Sequence, residues 1–167
     1  MERGLLKMAS KFYLAYGSNL SRAQMKFRTP DAEIVGTAML DGWRLLFRQY
    51  ATIKKSGTYK TPVLVWKISE QDEKNLDRFE GYPKFYRKKN LTVAVTSLDG
   101  KFLGDVTAMV YIMTENAVHL RKSNPTPSVH YFSILNEGYK DFGFDKNFLM
   151  AALLENFNPY ESANSSR

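Results

Sequence analysis

The sequence predicts an α+β protein built on a small mixed β-barrel, or a strongly curved sheet, of about six strands with attached helices. Runs rich in β-branched and aromatic residues recur along the chain, turn dipeptides separate them, and capped helices are inserted between particular strands. No internal repeat or linker divides the 167 residues, so we expect one domain over residues 12–157. Residues 1–11 are expected to be a flexible leader, and the polar residues 158–167 a frayed tail.

Six β-rich segments are the predicted strands. Asp41-Gly42 and Asp99-Gly100 favour type I′ hairpin turns, because both central residues of such a turn need positive φ. Each dipeptide lies between two of the segments, so each is expected to join neighbouring antiparallel strands. The strands are predicted over residues 12–16, 32–40, 43–51, 63–68, 91–98 and 102–113.

Helices are predicted where a capping residue precedes a helical pattern of apolar residues. In the second of them, Glu70, Asp72 and Glu73 place negative charge in the first turn, where the helix dipole favours it. A loop with two prolines is expected after the last strand. The predicted helices run from Ser21 to the residue before Pro30, from Ser69 to Gly81, from Ser128 to Gly143, and from Asp145 onward.

The composition excludes several kinds of chemistry. The chain has no cysteine, so it has no disulfide, no thiolate nucleophile and no cysteine-ligated zinc. Its two histidines, His119 and His130, cannot by themselves complete the usual three-ligand zinc set, and we expect both on the surface. The glycine motifs of dinucleotide-binding folds, P-loop NTPases and α/β-hydrolases are absent from the sequence.

The charge and hydropathy of the chain constrain its partners only loosely. With 24 Lys and Arg against 17 Asp and Glu, the formal charge of +7 is compatible with a nucleic acid or with an anionic small molecule. No stretch approaches the roughly 20 apolar residues that a membrane span requires. We therefore expect a cytoplasmic protein that does not span a membrane.

The turn after the first strand, Tyr16-Gly17-Ser18-Asn19-Leu20, is the first candidate for a binding site. Consecutive backbone N–H groups in such a turn can converge on an anionic or carbonyl oxygen, and a glycine allows the ligand to approach closely. The alternative is an ordinary strand-to-helix turn capped by Asn19 or Ser21.

Glu80 is the candidate for proton transfer. A carboxylate at the carboxyl end of a helix faces the negative end of the helix dipole, which is expected to raise its pKa towards neutrality. A carboxylate whose pKa lies near neutrality can exchange protons at physiological pH. The alternative is a solvent-exposed glutamate paired with a lysine or with Arg78.

A basic run follows the second helix, with two aromatic residues interleaved. Positive charge combined with stacking surfaces is typical of proteins that bind single-stranded RNA. The alternative is a solvated strand whose lysines protect its edge from aggregation. The run comprises Lys84, Phe85, Tyr86, Arg87, Lys88 and Lys89.

Taken together, these segments resemble the γ-glutamylcyclotransferase family, including its AIG2-like relatives. The resemblance extends over about residues 12 to 143, with the pieces in the family's order. The most specific feature is the Tyr-Gly-Ser-Asn turn followed by a glutamate directly before a glycine at the end of a helix. The matching pieces are residues 12–20, 65–68, 76–82 and 111–114, and Pro127-Ser128 leading to Tyr131.

The resemblance implies a fold, an activity and a set of site residues. Family members are small mixed β-barrels that release 5-oxoproline from γ-glutamyl compounds without a cofactor, so it implies a small-molecule γ-glutamyl substrate. Glu80 is implied as the proton acceptor, in a pocket whose floor is the turn. The implied substrate-binding residues are Tyr13, Leu14, Ala15, Tyr16, Gly17, Ser18, Asn19, Tyr86, Tyr111 and Tyr131.

Two alternatives to the enzyme remain at this stage. One is a binding module of the same fold that holds a γ-glutamyl ligand without turning it over. The other is an RNA-binding barrel, which the basic run and the charge permit, although we do not expect a nucleic-acid partner. Neither the γ-glutamyl compound that serves as substrate nor the oligomeric state follows from the sequence.

Overall fold

The computed structural model describes residues 11–156, which form a mixed α+β structure. The predicted tail lies outside the described residues, and so does the predicted leader except for Lys11, which begins the first strand. The strands are β1 Lys11–Ala15, β2 Glu33–Arg48, β3 Tyr50–Ile68, β4 Tyr86–Thr96 and β5 Phe102–Met113. The helices are α1 Arg22–Arg28, α2 Glu70–Glu80, α3 Glu115–Leu120, α4 Val129–Asp141 and α5 Lys146–Glu155, and a 3-10 turn covers Ser18–Leu20.

The strands form a closed barrel in the order β1-β3-β2-β4-β5. Long antiparallel ladders join β2 to β3 and β4 to β5, and β1 runs antiparallel to β3. Single bridges close the barrel, a parallel one between Tyr13 and Met109 and an antiparallel one between Thr37 and Thr96. The predicted small mixed barrel with attached helices is therefore confirmed, with five strands in the described part where we expected about six.

The hairpin predicted at Asp41-Gly42 is wrong, and this accounts for the difference in strand number. β2 continues through the dipeptide, where the register with β3 shifts, and Gly42 has a φ of 82°. A bulge and a type I′ turn both use a glycine at positive φ, so the dipeptide favours either. The chain reverses at Gln49 instead, a residue with a φ of 64° whose N–H donates to the carbonyl oxygen of Pro125 at 2.7 Å.

The second hairpin is confirmed. β4 and β5 flank Asp99-Gly100, and Gly100 has a φ of 93°. In β4, Val93 and Val95 are buried while Thr92 and Ala94, which alternate with them, are exposed, as expected for a strand with one face in the core.

The predicted helix caps are confirmed by the hydrogen bonds of their side chains. Ser69 and Asp72 form a capping box at the start of α2, and Gly81 ends that helix in the left-handed conformation with a φ of 65°. The prediction missed α3, which Thr114 caps within the segment expected to be a loop. Ser21, Ser128 and Asp145 likewise cap α1, α4 and α5.

The hydrophobic core fills the barrel and extends beneath the helices. Phe47, Leu64 and Val65 are fully buried on the long β2–β3 ladder. Leu135 and Tyr139 bring α4 into the same core. The core therefore holds α4 against the barrel, next to the turn that follows β1.

Candidate active site

A cavity of about 690 Å³ opens where the turn after β1, the end of α2, the β2–β3 turn and the start of α4 meet. All the sequence-predicted site residues except Leu14 and Ala15 line it. Arginines and an additional tyrosine that the sequence did not single out complete the wall. The predicted residues on the wall are Tyr13, Tyr16, Gly17, Ser18, Asn19, Glu80, Tyr86, Tyr111 and Tyr131, and the others discussed below are Gln24, Arg28, Tyr50, Ala51, Phe79, Phe85, Arg121 and His130.

Leu14 and Ala15 do not reach the cavity. Both are fully buried in the hydrophobic core. Successive residues of a strand point to opposite faces, so Leu14 faces away from Tyr13. The resemblance implied a continuous substrate-binding stretch, whereas the structure places only part of that stretch on the cavity wall.

Asn19 is the centre of the hydrogen bonds at the cavity floor. Its side-chain Nδ2 donates to the Tyr13 hydroxyl at 3.0 Å and lies 3.5 Å from Oε1 of Glu80. Its Oδ1 accepts from the Arg28 guanidinium at 3.0 Å, and its backbone oxygen accepts from the indole N–H of Trp66 at 3.1 Å. This buried side chain therefore joins the turn, β1, α1 and the end of α2.

The close approach of α4 to the turn requires glycines on both sides. A Cβ on Gly17 would lie 3.2 Å from the Tyr131 hydroxyl oxygen and 3.3 Å from the Ala51 Cβ. A Cβ on Gly138 would lie 2.6 Å from the Leu20 Cβ. Larger residues at these two positions would separate the parts of the cavity wall that carry the polar groups.

Glu80 is the last residue of α2 and is half-buried on the cavity wall. Burial raises the pKa of its carboxyl group from the ordinary 4.5 to about 7, and the positive charge of Arg28 partly opposes the rise. The expected direction is thus confirmed, with withdrawal from water as the main cause. Among the described residues no ion pair joins Glu80 to a lysine or to Arg78, in contrast to the surface alternative.

Arg28, at the end of α1, is a site residue that the sequence analysis missed. Besides its contact with Asn19, the guanidinium donates to the side-chain oxygen of Gln24. With the Gln24 amide turned so that its oxygen faces Arg28, the two guanidinium nitrogens lie 2.7 and 2.8 Å from that oxygen. It also lies 4.6 Å from the centre of the Phe79 ring. Burial lowers the pKa of Arg28, and the Glu80 carboxylate opposes this effect. Nothing in the local sequence distinguishes Arg28 from the other basic residues of a short amphipathic helix.

The predicted tyrosines divide into two groups by what their hydroxyls do. Three of them donate within the protein: Tyr16 to the Tyr111 carbonyl oxygen at 2.6 Å, Tyr86 to the Ala51 carbonyl oxygen at 2.9 Å, and Tyr111 to Asp77 at 2.5 Å.

Tyr13 and Tyr131 form the second group. Their hydroxyls accept from Asn19 and from the Ala51 N–H at 3.0 Å, so each keeps its proton for a ligand. Burial raises the pKa of both hydroxyls, which keeps them protonated. These two tyrosines are therefore the best placed to donate a hydrogen bond to a molecule in the cavity.

The basic run after α2 is partly neutralised. Lys88 contacts Asp77 at 2.8 Å and Glu73 at 3.0 Å, and Glu73 also pairs with Lys11 at 2.7 Å. These ion pairs attach α2 to β1 and β4, and they raise the pKa of Lys88 and lower the pKa of Glu73 against the opposing effect of burial. The other three basic residues of the run, Lys84, Arg87 and Lys89, are exposed.

Two further expectations concern the surface. His119 and His130 are both exposed, as predicted, and His130 lies at the cavity. None of the helices in residues 11–156 is long and apolar enough to span a membrane.

Comparison with known proteins shows the family of the chain. The family model described as "Gamma-glutamyl cyclotransferase, AIG2-like" matches residues 13–132. The chain belongs to this family. The match spans the turn after β1, all of α2 and the start of α4, which are the elements that carry the polar groups of the cavity. The family resemblance that the sequence motifs indicated is thus confirmed.

Individual γ-glutamyl cyclotransferases are similar in sequence and in fold. The human and bovine γ-glutamylcyclotransferases are each 30% identical to this chain over 146 residues, covering 80% of this chain and 72% of theirs. A solved structure of a γ-glutamyl cyclotransferase matches with a TM-score of 0.68 at 26% identity, over 86% of both chains. A yeast γ-glutamyl cyclotransferase specific to glutathione shares the fold, with a TM-score of 0.57 at 14% identity over 91% of this chain and 97% of that one.

Proposed function

We propose that this γ-glutamyl cyclotransferase family member releases 5-oxoproline from γ-glutamyl amino acids or γ-glutamyl amines, with Glu80 as general acid and base. One observation carries the proposal: the carboxyl group of Glu80 lies on the cavity wall, and burial brings its pKa to about 7. A carboxyl group with this pKa can accept and return a proton near neutral pH.

The nucleophile in this reaction belongs to the substrate. The α-amine attacks the γ-carbonyl carbon, a new C–N bond closes the five-membered ring, and the bond to the departing amine breaks. The α-amine must first lose a proton, which Glu80 accepts, and the departing amine needs a proton, which Glu80 returns. The reaction therefore requires no serine or cysteine nucleophile, which suits a chain without cysteine.

The remaining cavity groups would bind the substrate and the developing charge. Backbone N–H groups around Gly17 and Ser18 would hold the α-carboxylate or the oxyanion of the tetrahedral intermediate. Tyr13 and Tyr131 supply neutral hydroxyl donors next to the same turn. A cavity that holds the folded-back conformer of the substrate would accelerate ring closure through proximity.

The direct test is an assay for 5-oxoproline with a panel of γ-glutamyl dipeptides, glutathione and γ-glutamyl-lysine. The Glu80→Gln variant is expected to retain its fold and to lose roughly 10²–10⁴-fold in kcat. Glu137→Gln, an exposed glutamate of α4 outside the cavity, is the matched control. If Glu80→Gln turned over at the parent rate, the assignment of the base would be wrong.

The binding-module alternative is tested by the same panel. A module without activity would bind a γ-glutamyl dipeptide saturably and yield no 5-oxoproline at any pH. The pKa of Glu80 favours the enzyme, because a module that only holds its ligand has no need of a carboxyl group that titrates near neutrality.

A further inference from the structure

Arg121 is another cation on the cavity wall, separate from the cluster around Asn19. Its guanidinium lies 5.5 Å from the centre of the Tyr50 ring and 5.4 Å from the centre of the Phe85 ring. The Tyr50 ring in turn packs edge-on against Tyr131 at 5.2 Å. The rings of Tyr50 and Tyr131 therefore link Arg121 to the turn that holds Gly17.

The guanidinium of Arg121 has donors to spare. Its hydrogen bonds to described residues all leave through one nitrogen, to the Met113 sulfur at 3.9 Å and to the Ala117 carbonyl oxygen at 3.5 Å. Within residues 11–156 no carboxylate pairs with it. A half-buried guanidinium between aromatic faces is poorly hydrated and presents its remaining N–H groups as a fork, which suits a carboxylate.

Arg121 also lies outside the motifs that carry the family resemblance. It follows α3, in the segment between residues 111–114 and Pro127-Ser128. The same segment approaches the β2–β3 turn, where the Pro125 carbonyl oxygen accepts from the Gln49 N–H at 2.7 Å. The position of Arg121 beside Tyr50 thus results from contacts between two parts of the chain that the motifs do not include.

The arrangement matches a substrate with two carboxylates. A γ-glutamyl amino acid carries one on the γ-glutamyl group and one on the departing amine, at opposite ends of the molecule. Arg28 stands with the turn at one side of the cavity, and Arg121 stands beyond Tyr50 and Tyr131. A γ-glutamyl amine without a second carboxylate would place a negative charge only at the side of the cavity that holds Arg28.

We propose that Arg121 determines specificity by binding a carboxylate on the departing amine, an inference that rests on the proposed function. The preferred substrates are then γ-glutamyl amino acids, and γ-glutamyl amines whose departing group is neutral or cationic are poorer. A cation of this kind acts on binding and orientation, and the proton transfers remain with Glu80.

The test compares γ-glutamyl-alanine with γ-glutamyl-alaninamide, which differ only by a carboxylate and a carboxamide. The parent protein is expected to prefer the acid by roughly tenfold or more in kcat/KM, the size of one charge-assisted hydrogen bond. Arg121→Gln is expected to lower kcat/KM for the acid to that for the amide and to leave the amide nearly unchanged. Lys122→Gln, which removes the same charge one residue along the chain, is expected to keep the preference.

Each other outcome overturns the inference. A parent protein without preference, an Arg121→Gln variant that keeps the preference, or one that loses activity equally on both substrates would each contradict it. The last result would show a structural role only. Arg121→Lys is expected to retain part of the preference, because it keeps the charge and loses the planar fork.

Failure of the proposed function is distinguishable from failure of this inference. If no donor yields 5-oxoproline, the proposed function is wrong. The role of Arg121 is then decided by calorimetry, which measures the binding of γ-glutamyl-alanine and γ-glutamyl-alaninamide to two proteins. One carries Glu80→Gln alone, and the other carries Glu80→Gln together with Arg121→Gln. Tighter binding of the acid that disappears with Arg121→Gln supports the inference. Equal binding of the acid and the amide, unchanged preference, or no binding of either ligand overturns it.

Discussion

Nδ2 of Asn19 lies 3.5 Å from Oε1 of Glu80, so the turn after the first strand and the end of α2 meet at a single donor and acceptor. The same amide group holds the Tyr13 hydroxyl, and the side-chain oxygen holds Arg28. One buried side chain thereby fixes the relative positions of the proposed base, a neutral hydroxyl donor and a cation.

Replacement of Asn19 by alanine is expected to destabilise the protein by about 1–3 kcal/mol, because buried partners lose their hydrogen bonds. Urea denaturation measures this change in the free energy of unfolding. Asn116→Ala, at an exposed position of α3, is the control and is expected to have little effect. A stable Asn19→Ala protein with parent activity would show that the hydrogen bonds around this side chain do not organise the site.

Arg28→Gln is expected to raise the pKa of Glu80 above about 7, because the guanidinium charge is the influence that lowers it. The base must be ionised, so activity should rise with pH through this pKa. The acidic limb of the kcat/KM profile should therefore move to higher pH in the variant. Arg22→Gln, on the same helix and away from the cavity, should leave the limb in place, and an unmoved limb in Arg28→Gln would contradict the electrostatic link.

Stability should also depend on the ionisation of Glu80, in a pH range that the pKa sets. The carboxyl group ionises near 4.5 in the unfolded chain and near 7 in the folded one, so the folded state binds more protons between these values. Stability from this group is therefore full at low pH and is lost as pH rises from about 4.5 to about 7.

Glu80→Gln removes this loss, because a glutamine does not ionise. The variant should match the parent near pH 4.5 and exceed it at pH 8, by at most about 3 kcal/mol in the free energy of unfolding. Chemical denaturation at the two pH values measures the difference, with Glu137→Gln as the control. A difference that did not grow with pH would mean that the carboxyl group ionises normally in the folded protein.

The outcome for these residues shows what local sequence determines. The position of Glu80 at the carboxyl end of a helix was predicted from the cap at Ser69 and from Gly81, and Glu80 is the last residue of that helix. The Asp41-Gly42 prediction failed because a bulge and a hairpin turn require the same positive φ, and the choice between them depends on strand pairing far along the chain. Arg28 and Arg121 were missed because their importance comes from rings and amides of other elements, which no local pattern reveals.

Gly17→Ala tests how closely α4 approaches the turn. The added Cβ would lie 3.2 Å from the Tyr131 hydroxyl oxygen, so the turn or the hydroxyl must shift by a few tenths of an ångström. We expect at least about a tenfold loss in kcat/KM with a modest cost in stability, because small displacements of polar groups impair catalysis more than folding. Gly57→Ala, where a Cβ meets nothing within 4 Å, is the matched control. Parent activity in Gly17→Ala would place the substrate away from this turn.

Gly36→Ala tests the closure of the barrel between β2 and β4. A Cβ at this position would lie 2.1 Å from the backbone oxygen of Thr96, next to the single bridge between Thr37 and Thr96. Backbone cannot move aside as a flexible side chain can, so the strands must separate and the bridge between them must break. We expect a loss of about 3 kcal/mol or more in the free energy of unfolding, against little change for Gly57→Ala. A Gly36→Ala protein as stable as the control would mean that β2 and β4 do not pack this closely, and that the barrel is open at this seam.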